Sequence, residues 1–140
     1  MLTISKILAK SPENWLNNAS SCVVSNYKKI VDSEDGNPVV LAIIYSTLDS
    51  KGNPKTNPVK HKCYIKGLNG KNKKIVESKV EVSCDCEAFL YWSEVALYKK
   101  DASPIFFSNG ADAVVRNPKH VPFMCKHTIT LGKMIQRRRM

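Results

Sequence analysis

The sequence predicts an α+β fold in which a small antiparallel sheet, a meander of about four strands, precedes a helical C-terminal half. Between residues 22 and 83, segments rich in β-branched residues alternate with short stretches of turn-forming residues. Two later segments, 87–100 and 126–136, instead carry apolar residues at the spacing of a helix. The length of 140 residues suits one domain with a modest core.

The chain is predicted to begin with two short helices. Residues 2–9 favour the first of them. Ser11 and Pro12 are typical of the N-cap and the first position of the second helix, because proline has the backbone angle of a first turn and no amide hydrogen to leave unpaired. This second helix would present Trp15 and Leu16 to the core.

The central part of the chain is predicted to form the strands of the meander. Asn69 and Gly70 begin the strongest hairpin signal in the sequence, since this dipeptide is typical of tight turns between antiparallel strands. Ile75, Val80 and Val82 are expected to face the core from the last strand. The strands are expected at residues 22–31, 39–48, 59–68 and 75–84.

Two helices are predicted in the C-terminal half, separated by a proline-containing loop at 101–124. The first helix, at 87–100, has Lys99 and Lys100 in its last turn, where cations suit the helix dipole. The second helix, at 126–136, is expected to fray into the residues that follow it. The apolar stripes are expected to contain Phe89, Leu90 or Trp92, Ala96 and Leu97 in the first helix and Ile129, Met134 and Ile135 in the second.

Four residues of the C-terminal half are of the kinds that bind metals, and they occur in two closely spaced pairs. Cys84 and Cys86 form a Cys-x-Cys pair, and after 38 intervening residues Cys125 and His127 form a Cys-x-His pair. Three thiols and one imidazole complete a tetrahedral set for one structural Zn²⁺ and leave no position open for a substrate. The alternative is a group of redox-active or structural thiols without a metal. Because each pair is expected to open a helix, the pattern favours zinc.

The sequence around these pairs resembles the SWIM zinc finger. VEVSCDCEAF at 80–89 is similar to the strand of that family that leads into Cys-x-Cys and an aromatic residue, and MCKHTITL at 124–131 is similar to its Cys-x-His at the start of a final helix. The resemblance covers about residues 60–137. It implies that the zinc ligands are Cys84, Cys86, Cys125 and His127.

The insert between the two pairs is similar to one group of SWIM-like proteins. IFFSNGADAVVRNPKHVPFMCKH, at 105–127, resembles the run found in small SWIM-like proteins of tailed bacteriophages. This resemblance implies a virion-associated structural or assembly protein that acts through contacts with other virion proteins. It also implies a location in the virion or in the host cytoplasm.

These features predict a single domain, 1–140, with three parts. The first part is an N-terminal helical segment at 1–21, the second is the β-meander at 22–83, and the third is a SWIM-like zinc module at 84–137. In this arrangement the ion would join the end of a strand to the starts of two helices, so that the C-terminal half would depend on the metal.

The charge of the chain suggests a second class of partner. The formal net charge is +10, from 22 basic and 12 acidic residues. Such an excess favours polyanionic partners, most simply nucleic acid such as DNA, although a soluble protein with a lysine-rich surface has the same composition. The basic residues concentrate at two places, which are the candidate nucleic-acid contacts: Lys71, Lys73, Lys74, Arg137, Arg138 and Arg139.

Several other classes of protein are not expected. The sequence contains no glycine-rich phosphate loop, no serine nucleophile elbow and no convincing carboxylate pair, so we expect neither an enzyme nor a small-molecule substrate. The longest apolar run, 38–45, has the length of a strand and is too short to span a membrane. The N-terminus lacks an apolar stretch with a cleavage site, so secretion is not expected.

Two further cysteines and one histidine lie in predicted strands. Cys22 and Cys63 could form a disulfide, but the odd total of five cysteines favours two reduced core thiols. His61 would share a strand face with Val59, Cys63 and Ile65. We therefore expect a partly buried strand histidine there rather than a metal ligand.

The remaining polar residues near the ligand pairs are expected to be exposed. His120 could orient the site, but a solvent-exposed loop histidine is the simpler expectation. Asp85, between two of the cysteines, is expected to point outward. Glu87 suits the first turn of its helix, and Glu94 is expected to be solvated.

Overall fold

The structure, a computed structural model, describes residues 2–49, 51–86, 89, 93–103 and 122–140. The strands are β1 (Cys22–Val31), β2 (Pro38–Ser46), β3 (His61–Gly67) and β4 (Val80–Cys84). They pair antiparallel with their neighbours in chain order, which confirms the predicted α+β meander. The helices of the described residues are α1 (Ile4–Lys10), α2 (Glu13–Asn18), α3 (Glu94–Tyr98) and α4 (Lys126–Arg138).

The N-terminal helices differ from the prediction at their junction. Ser11, predicted as the N-cap of the second helix, instead ends α1, where its hydroxyl donates a hydrogen bond to the carbonyl of Ile7 at 2.9 Å. Pro12 is the N-cap of α2 and not its first residue. Trp15 and Leu16 are half-buried against the core, as expected.

The sheet follows the predicted strands closely at its start and less closely at its end. β1 has the predicted bounds. Val59 lies before β3 and is 66% exposed, so it does not share a buried face with Cys63 and Ile65 as predicted. Residues 75–77 form a single 3₁₀ turn, and the last strand starts only at Val80. Across this turn the hydroxyl of Ser78 donates a hydrogen bond to the carbonyl of Lys74.

The core lies between α4 and one face of the sheet. Fully buried side chains from β2, β3 and β4 meet fully buried side chains of α4 there. Ile75, predicted to be in the core, is buried although its strand is not formed, and so are Val80 and Val82. The two sets in contact include Val40, Ile44, Ile65 and Val82 from the sheet and Ile129, Leu131, Met134 and Ile135 from the helix.

The helix α4 approaches the sheet closely at Gly132. A β-carbon built on this residue would lie 3.2 Å from Cγ2 of Ile4 and 3.3 Å from the terminal methyl of Met124. Both distances are tighter than ordinary van der Waals contact. The absence of a side chain at Gly132 therefore lets α4 pack against α1 and the sheet at once.

The C-terminus is ordered, in contrast to the predicted fraying. The helix α4 continues through Arg138 and ends at Arg139, which has the left-handed backbone conformation with a φ of 51°. The main-chain oxygen of Met140 accepts a hydrogen bond from the amide of Ile75 at 2.9 Å. This bond fixes the end of α4 beside the connection between β3 and β4.

The two outer strands of the sheet have different surroundings. Beside β4, the carbonyl of Ala102 accepts a hydrogen bond from the amide of Val82 at 2.7 Å. Among the described strands β1 pairs only with β2, and a register shift between Val24 and Asn26 interrupts that pairing. The outer edge of β1 therefore differs from that of β4, which has a backbone partner.

Much of the first predicted C-terminal helix and of the insert lies outside the described residues. Of the predicted segment 87–100, the structure shows α3 at its end. Ala96 and Leu97 of α3 are buried as expected, and so is Phe89, which lies before α3. Lys99 and Lys100 lie just after the end of the helix and not in its last turn. The predictions for Glu87, Leu90, Trp92 and His120 fall on residues that are not described.

Candidate metal centre

The four predicted ligands come together at one place in the structure. Their ligand atoms all lie within 4.8 Å of one another, and all four residues are buried. Cys84 is the last residue of β4 and Cys86 follows two residues later. Cys125 is the N-cap of α4 and His127 lies in its first turn. The site therefore joins the end of a strand to the start of α4, as predicted, while the predicted helix start at residue 87 lies outside the described residues.

Local hydrogen bonds hold the cysteines in place on both sides of the site. The amide of Phe89 donates to Sγ of Cys86 at 3.3 Å. On the other side, the hydroxyl of Thr128 lies 3.3 Å from Sγ of Cys125 and donates to the Cys125 carbonyl at 3.1 Å. The N-terminus of α4 also favours a thiolate at Cys125 because of the helix dipole.

The spacing of the ligand atoms suits a tetrahedral ion. Nδ1 of His127 lies 3.9 Å from Sγ of Cys84 and 3.9 Å from Sγ of Cys125. Metal–sulfur bonds of about 2.3 Å and metal–nitrogen bonds of about 2.0 Å give a sulfur–nitrogen edge of about 3.5 Å in a tetrahedron. The observed separations are close to this edge, and the donor set of three thiols and one imidazole is one that binds metals in proteins.

The protonation states of the three cluster thiols depend on one another. Burial opposes a charge on Cys125, but hydrogen bonds from the other two thiols lower the pKa of this group. The hydrogen bond to Cys125 raises the pKa of Cys86 and, together with the thiol of Cys63, also raises the pKa of Cys84. One buried thiolate is accommodated in this way, whereas further thiolates need a cation beside them. A metal ion that binds here must displace protons, so its affinity falls as the pH falls.

A fourth cysteine, Cys63, lies against the three cysteines of the cluster, and its position there was not predicted from the sequence. Sγ of Cys63 is 3.2 Å from Sγ of Cys84, and Cys63 is buried. None of the five cysteines forms a disulfide, so Cys22 and Cys63 are both reduced thiols, as expected. Burial raises the pKa of the half-buried Cys22 thiol. The proximity of Cys63 to the site follows from the register of β3 and β4, which pairs Cys63 with Cys84.

His61 and Asp85 form a second layer beside the ligands. Asp85 is exposed, as expected, and its carboxylate also contacts Nδ1 of His61 at 2.8 Å and accepts a hydrogen bond from the amide of Lys62 at 3.2 Å. His61 is partly buried, as expected, and the centre of its ring lies 4.6 Å from that of His127. The ring of His61, which contacts Asp85, thus lies against the ring of His127, one of the four clustered residues.

Glu94 is buried, although the sequence analysis expected a solvated residue. Its exposed fraction is 0%, and it lies in α3 next to the buried Ser93. Burial, and after it the charges of Glu81 and Glu94, raise the pKa of Tyr64. The hydroxyl of Tyr64 donates to the carboxylate of Glu81 at 2.9 Å. Glu94 is therefore shielded from solvent and lies within electrostatic range of Tyr64 in β3.

The two predicted basic concentrations lie next to each other. Lys71, Lys73 and Lys74 are exposed in the connection between β3 and β4, and the arginines at the end of α4 are also exposed. The hydrogen bond between Ile75 and Met140 brings these segments together. We call the resulting group the basic surface: Lys71, Lys73, Lys74, Arg137, Arg138 and Arg139. Within it, the Arg138 guanidinium donates to the hydroxyl of Tyr27 at 2.7 Å.

Comparisons of the chain with known proteins found no relative. No protein-family model matches the chain, no curated protein matches it, and no solved structure matches it. The SWIM resemblance therefore stays a prediction. Within the described part of the chain, no helix is long and apolar enough to cross a membrane. The candidate metal centre and the basic surface are thus the two features of the molecule that indicate a function.

Proposed function

We propose that this protein is a non-catalytic, SWIM-like module built around one structural Zn²⁺ held by Cys84, Cys86, Cys125 and His127. The observation that carries the proposal is the convergence of four buried ligand atoms from two distant segments. Zinc suits this donor set because it favours four-coordinate sites of cysteine and histidine. Four protein ligands leave no position for a substrate, so the ion would stabilise the fold rather than catalyse a reaction.

We further propose that the module serves as a virion-associated structural or assembly protein of a tailed bacteriophage, through contacts with other virion proteins. The support for this role is the resemblance of the insert at 105–127 and of the two ligand pairs to such proteins. A buried closed metal site agrees with it, since assembly proteins need a stable surface and no reactive centre.

Nucleic-acid binding, such as binding to DNA, is the second candidate function, and one observation favours it. The basic surface collects six cations that are far apart in the sequence. In the described part of the chain, none of the six cations of the basic surface forms an ion pair with a carboxylate. Such a cationic surface is suited to a phosphate backbone.

Two measurements on the purified protein test these proposals. Metal analysis should find one zinc per chain, and a protein without a bound divalent ion would overturn the structural role. Binding to double-stranded and single-stranded DNA is then measured between 50 and 200 mM salt, where six phosphate contacts predict a slope of log affinity against log salt of about −5 on duplex DNA. An assembly protein would instead co-purify with a particle protein at high salt and show no such slope.

A matched pair of variants separates a specific surface from general charge. In the first variant the three lysines of the basic surface are replaced by glutamine. In the control, Lys51, Lys55 and Lys60 are replaced, which are equally exposed but lie in the connection between β2 and β3, at the other end of the sheet. If the basic surface binds DNA, only the first variant lowers the slope, to about −3. Equal effects of both variants would count against a localised site.

A further inference from the structure

Among the described residues, Cys63 supplies a buried thiol beside the metal centre that the proposed zinc set does not use. It lies 3.2 Å from Sγ of the ligand Cys84. Cys63 is 3% exposed and Cys84 is fully buried, so both sulfurs are closed off from bulk solvent. Two thiols in contact, of which one is a ligand, can react with each other as well as bind a metal.

The position of the two residues in the sheet suits a covalent bond between them. Cys63 and Cys84 are directly opposite each other in β3 and β4. The amide of Asp85 donates to the carbonyl of Lys62, which marks the Cys63–Cys84 position as a non-hydrogen-bonded pair. In such pairs the α-carbons are about 4.5 Å apart, and disulfides form at α-carbon separations of about 4.4–6.8 Å. The sulfurs need only close from 3.2 Å to about 2.05 Å.

We propose that Cys63 and Cys84 form an oxidation site, at which a peroxide joins the two sulfurs in a disulfide and thereby removes Cys84 from the zinc set. The inference rests on the proposed zinc centre for its consequence, although the disulfide itself does not require the metal. A sulfur in a disulfide carries no thiolate charge and no longer serves as a ligand. Three protein ligands then remain, and zinc is released to a competing chelator.

The reaction balances with hydrogen peroxide as the oxidant. Two thiols lose two electrons and two protons, one sulfur–sulfur bond forms, the oxygen–oxygen bond of the peroxide breaks, and two water molecules result. When Cys84 is a zinc-bound thiolate, Cys63 supplies one of the protons and solvent supplies the other. A thiol reductant reverses the reaction through exchange. The burial of both sulfurs favours a small oxidant over a bulky disulfide such as oxidised glutathione.

Cys63 is therefore the residue to change in a test. In Cys63→Ala and Cys63→Val the four zinc ligands remain, but Cys84 has lost its facing thiol. Cys22→Ala is the matched control, because Cys22 is also free but lies in β1, in a different strand from the pair. The zinc-loaded full chain and these variants are exposed to excess hydrogen peroxide in the presence of a chromogenic zinc chelator.

We expect the wild-type chain and Cys22→Ala to release their zinc at similar rates, and the two Cys63 variants to release it on the order of tenfold more slowly, since no thiol faces Cys84. Non-reducing peptide mapping should show Cys63 linked to Cys84. Cleavage before Asp85 separates Cys84 from Cys86, so the map distinguishes these two cysteines. Reductant and added zinc should restore the starting state.

Two results would overturn the proposal. One is zinc release from both Cys63 variants at the wild-type rate, and the other is a peptide map in which Cys84 is joined to Cys86 or Cys125 instead of Cys63. Zinc content measured before the oxidant is added reports separately on the proposed metal centre. If that content is zero, the zinc proposal fails, and peptide mapping of the same metal-free chain still decides whether Cys63 and Cys84 form the disulfide.

Discussion

The sheet and the metal centre bring residues together by different means. In the sheet, each strand pairs with the next one along the chain, and β1 and β2 are joined by the six residues between Val31 and Pro38. The metal centre instead joins two segments separated by 38 residues. Closing a loop of that length costs about 1–2 kcal/mol more than closing the shorter connections between the strands. We therefore expect the sheet to fold on local pairing and the C-terminal half to depend on the proposed ion.

Metal removal is expected to have the largest effect, and this effect should fall on only one of the two regions. Zinc at such sites contributes about 10 kcal/mol or more in apparent terms, which is comparable to the total stability of a domain, about 5–15 kcal/mol. Cys86→Ser, or a chelator, should therefore abolish zinc binding and unfold residues 84–137. Hydrogen exchange should show lost protection in α4 while the β1–β2 amides keep part of theirs.

The control for this experiment is Cys22→Ser, which changes a cysteine outside the four-residue cluster. Its zinc content should equal that of the unchanged chain. If the Cys86→Ser variant lacks zinc and yet keeps full protection throughout α4, the C-terminal half does not depend on the ion. The contrast between the two regions would then be wrong.

Gly132→Val should have a smaller effect, and it acts on the contact between the two regions. The added side chain would meet Ile4 and Met124 at distances below van der Waals contact. Overpacking of this kind costs about 1–3 kcal/mol. Denaturant unfolding should show this loss while zinc stoichiometry stays at one, because no ligand is changed. Lys133→Ala, at the exposed neighbouring position, should change stability by less than about 0.5 kcal/mol. Equal effects of both variants would exclude close packing at Gly132.

The smallest expected effect concerns the ion pairs of the sheet. Nζ of Lys66 lies 2.9 Å from Asp32 and 2.6 Å from Asp35, and its hydrogen bonds lower the pKa of both carboxyl groups. A lowered folded-state pKa contributes stability above the unfolded value of about 3.9, and this contribution is lost as the pH falls through the folded pKa. Lys66→Met should therefore be less stable than the unchanged chain at pH 7, and the difference should vanish below pH of about 3.

Lys62→Met is the control for the ion pairs, since Lys62 is an exposed lysine of the same strand. Its denaturation midpoint should follow that of the unchanged chain at every pH, so that the loss of zinc in acid affects both proteins alike. A difference between Lys66→Met and the unchanged chain that persists unaltered into acid would show that the carboxylates do not contribute.

The sequence predicted what depends on local pattern and missed what depends on register. The bounds of β1 and the four clustered residues follow from composition and short spacing, and both agree with the structure. The contact between Cys63 and Cys84, and that of His61 with Asp85, exist only because β3 and β4 pair in one particular register. That register depends on a connection, 68–79, whose 3₁₀ turn the alternating apolar pattern did not reveal.

Other misses arose where tertiary packing outweighs residue type. A glutamate in a helix is ordinarily solvated, yet Glu94 is buried and lies within electrostatic range of Tyr64 in β3. Fraying after residue 136 was a reasonable expectation for a run of arginines, but the hydrogen bond from Ile75 to Met140 holds the end of α4. Neither contact leaves a periodic signal in the sequence.

The interrupted outer edge of β1 has a consequence for the behaviour of the protein at high concentration. A bare strand edge invites the same edge of another molecule to continue the sheet, which is how many β-rich proteins aggregate. Here the register shift at Val24–Asn26 disturbs the row of backbone groups, and the exposed Lys28 and Lys29 put positive charge along the same strand. Two such edges would repel each other, so growth of a shared sheet from copy to copy is disfavoured.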